Sequence, residues 1–501
     1  MLTRFIIFIA FFTSFQIHAQ INVLNVRSFG AIADGVSFDT KAINAAIEHA
    51  AKNGGGTIYF PPGKYLSGSI RMKSNITLYL DNGTLLIAAP SGALSEYDEP
   101  EHRVNNQYED FGHRHWHNSL IWGENVQNIA IVGNGTIWGK GLERENSDEN
   151  DKRPNKTIGL YRCRNVLIRD INILHGGWFC LLATGTDNLT IDNVKMDTNR
   201  DAIDIDCCHN VRISNCSLNA PGDDALVLKS SFALNEPRAT ENVTITNCHF
   251  SAYDEGTMLD GTRQRLKNVN KWGPNGRLKF GTESNGGFRN IVVSNCTFEY
   301  SRGLALETVD GALLENISIM NITMKDVGNA PIFLRLARRM RGPSNTPVGE
   351  LRRVRISNLT AYNVGGGQGI LISGVPGHPV EDIELDNISM WVKGGGKTTD
   401  ALRKIPGMET GYPEPFFFGI QPAYAFFIRN ARNLKLSNIN VYTLEADERP
   451  VCYLEDVHDI SFLSVNTFNE IGTQPFIGGK SSNIRLESSL GKKAKLIRQL
   501  D

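Results

Sequence analysis

From Ser74 onward the chain alternates apolar and polar residues in short runs that recur. One copy reads H-N-V-R-I-S-N-C-S-L from His209; others are D-N-L-T-I-D-N-V-K-M from Asp187, E-N-V-T-I-T-N-C-H-F from Glu241 and R-N-L-K-L-S-N-I-N-V from Arg432. A period of two belongs to a strand. The matching positions Val166, Leu189 and Val211 lie 23 and 22 residues apart. Strand patterning at so short a repeat, broken by longer gaps, predicts an all-β solenoid, a right-handed parallel β-helix. One strand per coil is expected to face a narrow core of Val, Ile and Leu. The recurring Asn marks a bend, where stacked amides can bond along a ladder. The longest gaps, 89–120, 139–156, 251–280 and 391–425, read as excursions that wall a groove.

Ahead of the repeats, A-I-N-A-A-I-E-H-A-A follows Asp39-Thr40-Lys41. This predicts a short amphipathic helix with an acidic N-terminus, placed to cap the open end of the core. Gly54 to Gly56 lack a following G-K-[ST], so they read as a turn, not a phosphate loop. With no linker in view, residues 20–501 read as one domain. Residues 1–19 differ: Arg4 is followed by the apolar run Phe5 to Phe15 and then by Ala19. That pattern predicts a secretory leader, hence export to periplasm, cell surface or medium, and no membrane span in the mature chain.

Composition changes this picture little. A net charge of -1 argues against nucleic acid as a partner. Cys216, Cys248 and Cys296 follow Asn at the same place in different copies. They read as small core residues, so mostly free thiols are expected. No Cys or His spacing suggests zinc, and no cofactor or metal is called for. The N-x-[ST] triplets at Asn188, Asn242, Asn295, Asn316 and Asn387 read as solenoid corners rather than glycosylation signals.

Candidate chemistry gathers around one repeat. Asp201 precedes it, and Asp223 and Asp224 follow; Asp201 and Asp223 are 22 residues apart, about one coil. Stacked coils would bring the three carboxylates together, and such crowding raises at least one pKa. A proton donor beside an ionised carboxylate is what glycosidic bond cleavage requires. Asp residues also form turns, and Asp204 and Asp206 read as outward strand residues.

N-R-D-A-I-D from Asn199 resembles N-T-D-G-I-D of the polygalacturonases and their relatives, glycoside hydrolase family 28. G-D-D-A-L-V-L-K-S from Gly222 is similar to that family's G-D-D-C-I-A-L-K-S, and V-R-S-F-G-A-I-A-D-G from Val26 to its usual opening. The resemblance implies an inverting hydrolase of a pectin-type polysaccharide or oligosaccharide. It makes Asp223 the general acid and lets Asp201 and Asp224 together activate water, with the carboxylates about 6.5–9.5 Å apart. Downstream the chain departs from the family. Asn275 lies near the place of a family histidine, and Ala305 and Glu307 stand where Arg and Lys would hold a substrate carboxylate. Lys229, Arg277, Lys279, Arg302 or Arg335 would replace those cations, or Glu283 and Glu307 would bind hydroxyls of a neutral sugar. Glu283 and Glu307 read equally well as outward residues paired to Arg.

H-R-H-W-H from His113 lacks an evident acidic partner, so a loop packed on the groove wall is expected rather than a metal cluster. Trp116, Trp178 and Trp272 are candidates for stacking on sugar rings or for packing. The basic run from Arg335 to Arg341 reads as a solvated face. Two rivals stay open: a β-helix polysaccharide lyase, and a non-catalytic β-helix binding module.

Overall fold

The computed structural model describes residues 22–469, apart from 93–95, 104–105, 109–112, 146–151 and 270–272, and further 476–477, 480–487 and 497–498. The expected leader and Trp272 lie outside the described residues.

Each coil carries three strands. Phe179–Thr184, Asp187–Asp192 and Lys195–Asp197 form one coil; Asp201–Asp206, His209–Ser214 and Ser217–Asn219 form the next. Each strand pairs in parallel with its counterpart one coil on, as Leu181 with Ile203, Leu189 with Val211 and Met196 with Leu218. Three parallel sheets result, here called A, B and C in coil order. The fold is the right-handed parallel β-helix expected, but three strands per coil line the core, not one. The motif visible in the sequence is the B and C strands. From Phe288 the two fuse into single strands such as Phe288–Glu299 and Leu313–Val327, bent at Asn295 and Asn321.

The corners explain the recurring Asn. Asn128, Asn165, Asn188 and Asn210 have φ between 52° and 59°, a left-handed conformation that Asn tolerates better than most L-residues. Each donates its Nδ2 to Oδ1 of the ladder residue one coil back: Asn128 to Asn75 at 2.9 Å, Asn165 to Asn128 at 2.9 Å, Asn188 to Asn165 at 2.9 Å. The ladder continues through Asn210, Asn242, Asn290 and Asn316.

The predicted helix spans Thr40–Lys52 and buries Ile43, Ala46, Ile47 and Ala50 against the main core. Asp39 precedes it but makes no side-chain cap; its carboxylate instead accepts the N–H of Ile32 at 2.6 Å. All eight cysteines are buried free thiols. Among the described residues no helix is long and apolar enough to cross a membrane.

The four long excursions fall where expected. They leave after Ala88, Trp138, Ser251 and Val392, each at the corner between sheets C and A. The first and the last lie over the outer face of sheet A, where His113 meets Asp206 and Glu283, and where Tyr412 and Glu414 meet Lys279 and Arg277.

Candidate active site

Asp201 opens its A strand, while Asp223 and Asp224 lie in the turn entering the next one, Leu226–Ser230. Gly222 makes this close stacking feasible: its N–H donates to Asn199 O at 2.8 Å, and a Cβ there would meet that oxygen at 2.6 Å. The backbone N–H of Asp224 then bonds both Asp201 Oδ1 and Asp223 Oδ1 at 3.1 Å. One oxygen from each of the three carboxyls lies within 4.8 Å of the others. The trio gathers as the coil period predicted, and a single N–H ties two of its members.

The three are not equivalent. Burial and the neighbouring charges of Asp223 and Asp204 push the Asp201 carboxyl well above its ordinary value, against the pull of Lys229. Burial also acts to raise Asp224, but Arg277 and Lys279 outweigh it and hold that carboxyl far below the usual range. Arg277 Nε donates to Asp224 at 2.6 Å, and Lys279 Nζ lies 3.4 Å from it. Within the trio the surroundings thus favour the protonated form at Asp201 and the ionised form at Asp224. Asp223 is more open and pairs with Arg200 at 2.8 Å.

Two clefts meet at Asp223. One of ≈ 250 Å³ is lined by Trp178, Arg200, Asp201, Asp224, Lys279 and Tyr412, among others. A second of ≈ 270 Å³ is lined by Pro221, Asn275, Arg302, Glu414, Phe416 and Phe417, among others. Asp223 and Tyr412 border both. Lys229 lines the first cleft and bridges downward, 2.8 Å from Asp204 and 3.6 Å from Glu283. Tyr412 takes a hydrogen bond from Lys279 Nζ at 3.0 Å.

Of the predicted substrate contacts, Lys229 and Lys279 face the first cleft and Asn275 and Arg302 the second. Three others are placed elsewhere. Glu283 is buried beneath the cleft, paired with His113 at 2.9 Å, so it is a structural counter-ion. Burial raises its pKa, but His113 and Lys229 reverse this and hold it well below the ordinary value. Glu307 is buried under Lys279, 3.9 Å from Nζ, and burial pushes it up to about 7. Arg335, expected as a substrate cation or on a solvated face, is fully buried. It donates to Ser373 Oγ at 2.6 Å and to the carbonyls of Gly407 at 2.9 Å and Met408 at 2.7 Å. These bonds pin the last long excursion onto sheet A.

The H-R-H-W-H segment does pack on the wall, but its histidines have the acidic partners the sequence reading missed. His113 is fully buried between Glu283 and Asp206, the latter at 3.3 Å. Burial alone would neutralise it, yet the two carboxylates raise it to about 10. His117 meets Glu124 at 2.6 Å. Trp116 is fully buried against Tyr161 and serves packing, whereas Trp178 lines the first cleft with the Arg200 guanidinium 4.4 Å above its ring. Asp204 and Asp206 point outward as expected, but under the excursions they are buried.

Sequence reasoning missed Arg200, Tyr412 and Glu414 altogether. Arg200 was legible, since it replaces the Thr of N-T-D. Tyr412 and Glu414 carry no local signal, because their excursion reaches the site only in the folded chain.

Three-sheet coils define a class by fold, the right-handed parallel β-helix proteins, here with a carboxylate trio on sheet A. Comparison narrows it. The model described as "Glycosyl hydrolases family 28" matches residues 101–256, and one described as "Rhamnogalacturonase A/epimerase, pectate lyase-like" matches residues 23–140. A probable polygalacturonase of Vitis vinifera is 28% identical over 41% of this chain and 43% of its own length, so the match spans less than half of that relative. An exopolygalacturonase of Arabidopsis thaliana is 26% identical over 69% of this chain and 72% of its own. The family 28 exopolygalacturonase of Yersinia enterocolitica superposes with TM-score 0.66 at 17% identity, covering 88% of this chain and 78% of that one, a likeness of fold. Residues 101–256 are thus similar to glycoside hydrolase family 28, and the relatives that match the chain over longer stretches are polygalacturonases.

Proposed function

We propose that this chain is an exported hydrolase that cleaves glycosidic bonds in a pectin-type glycan, galacturonan or rhamnogalacturonan. The observation that carries the reading is the position of Asp223. It stands at the junction of the two clefts, with Asp201 and Asp224 bordering the first only. A glycosidic bond spanning the junction presents its oxygen to Asp223 and its anomeric carbon to the first cleft. Asp223 is the general acid for the leaving oxygen. Its proton comes from the pair it forms with Asp201, whose carboxyls share the N–H of Asp224. Asp224, held ionised by Arg277 and Lys279, takes a proton from the attacking water, which Asp201 orients. Water addition from the face opposite the leaving group inverts the anomeric carbon.

Export rests on the leader pattern of residues 1–19, and the pectin-type substrate on the family and on the names of its relatives. The test is proton NMR of the first products from galacturonan and rhamnogalacturonan oligosaccharides. Inverted reducing ends are expected. Retained configuration would refute the mechanism, and unsaturated ends would make the chain a lyase.

A further inference from the structure

Glu414 belongs to the excursion between Val392 and Phe426, yet its side chain is buried beside the trio. It accepts from Arg277 Nη1 at 2.9 Å, bonds Nη2 of the same guanidinium, and lies 3.3 Å from Arg302 Nη1. Arg277 spends its Nε on Asp224. A guanidinium fork meeting a carboxylate end-on through both Nη atoms, with a second guanidinium close by, is an arrangement suited to a uronic sugar's carboxylate. Here a protein carboxylate occupies it. Nor is Glu414 on a loose tether: Gln368 Nε2 donates to Pro415 O at 2.7 Å, and Arg335 holds the same excursion at Gly407 and Met408. The rest of the second cleft is amide and apolar, from Asn275, Pro221, Phe416 and Phe417. An incoming carboxylate would face Glu414 and Asp223 there, and the guanidinium lining that cleft, Arg302, is already engaged by Glu414 at 3.3 Å; like charges brought together without water repel.

We propose that Glu414 is a built-in stand-in for a sugar carboxylate, and that the cleft lined by Asn275, Phe416 and Phe417 takes a neutral sugar. The inference rests on reading the clefts as a glycan site. It makes the preferred bond one between a residue in the first cleft and a neutral residue in the second. Glu414 is then a specificity-determining residue that works by exclusion.

Binding, read without turnover, tests this. Isothermal titration of the full chain with D-galacturonate and with D-galactose compares wild type with Glu414→Gln, which keeps the shape and removes the charge. The expected result is a gain of at least about tenfold in galacturonate affinity in Glu414→Gln, with galactose within about twofold of wild type. Unchanged galacturonate affinity overturns the proposal. Arg302→Met gives an independent answer should Glu414→Gln fail to fold. Because Arg302 serves Glu414, galacturonate affinity should stay within about twofold of wild type, and a tenfold loss would show that the sugar's carboxylate uses Arg302. Hydrolysis itself is judged on Asp223, so either idea can fail without the other.

Discussion

On sheet B the side chains pointing away from the core, such as Arg169 and Arg212, meet solvent. On sheet A their counterparts Asp204, Asp206, Lys229 and Lys279 are buried. Both sheets come from one coil and one two-residue alternation. What separates them is the cover over sheet A, to which the first and last long excursions bring His113, Tyr412 and Glu414. Each buried ion costs several kcal/mol unless it is paired and hydrogen-bonded. The charges on sheet A meet this by interlocking: Lys229 with Asp204, His113 with Asp206 and Glu283, Arg277 with Asp224 and Glu414. Charge retained in a covered face, against that cost, is how a site announces itself.

The comparison breaks most severely at the trio. Asp223→Asn removes the proposed proton donor and should lower kcat by about 10²–10⁴-fold. Its melting temperature should hardly move, because Asp223 is the most open member; a steady-state assay beside a thermal melt reads both. Arg277→Met should act the other way round, on the scaffold first. It takes a partner from two buried carboxylates, leaving Asp224 to Lys279 and Glu414 to Arg302, and denaturant unfolding should show a loss of about 3–5 kcal/mol.

His113→Gln tests the interlock by pH. The raised pKa of His113 contributes stability that is full below its ordinary value near 6.5 and is lost as pH rises through about 10. The depressed pKa of Glu283 contributes above its ordinary value near 4.5, and that share is lost as pH falls through its lower folded value. The stability gap between wild type and His113→Gln should therefore be widest between pH 4.5 and 6.5, and should close toward pH 10. Thermal melts across that range would show it; a gap that widens with pH would mean His113 is neutral in the fold. The mildest change lies on the other side of the comparison. Asn188→Ala breaks two rungs, to Asn165 and from Asn210, and places Ala in the left-handed region, costing about 1–2 kcal/mol with kcat unchanged.

The same contrast decides what could be read from the sequence. Sheets B and C were legible because one face is wet, so apolar and polar residues alternate, and because their corners demand Asn. Sheet A was not: F-C-L-L-A-T at Phe179–Thr184 is buried on both faces and shows no alternation. The trio was legible since its spacing equals a coil. The ends of the excursions were legible as gaps, but not what they carry inward. His113 and Glu283 are separated by 170 residues and Arg277 and Glu414 by 137, and nothing local joins such pairs. The family match to residues 101–256 likewise stops before Arg277, Lys279, Glu307 and Glu414. The matched stretch thus holds the carboxylate trio, while the charged residues that surround it lie beyond the match.

The most direct test of the account is mass spectrometry of products formed in ¹⁸O-labelled water from galacturonan and rhamnogalacturonan fragments, by wild type and by Asp223→Asn. The account predicts that each cleavage by wild type adds one labelled water and that these products vanish in Asp223→Asn. Products lacking a water, or label incorporated as fast by Asp223→Asn as by wild type, would contradict it.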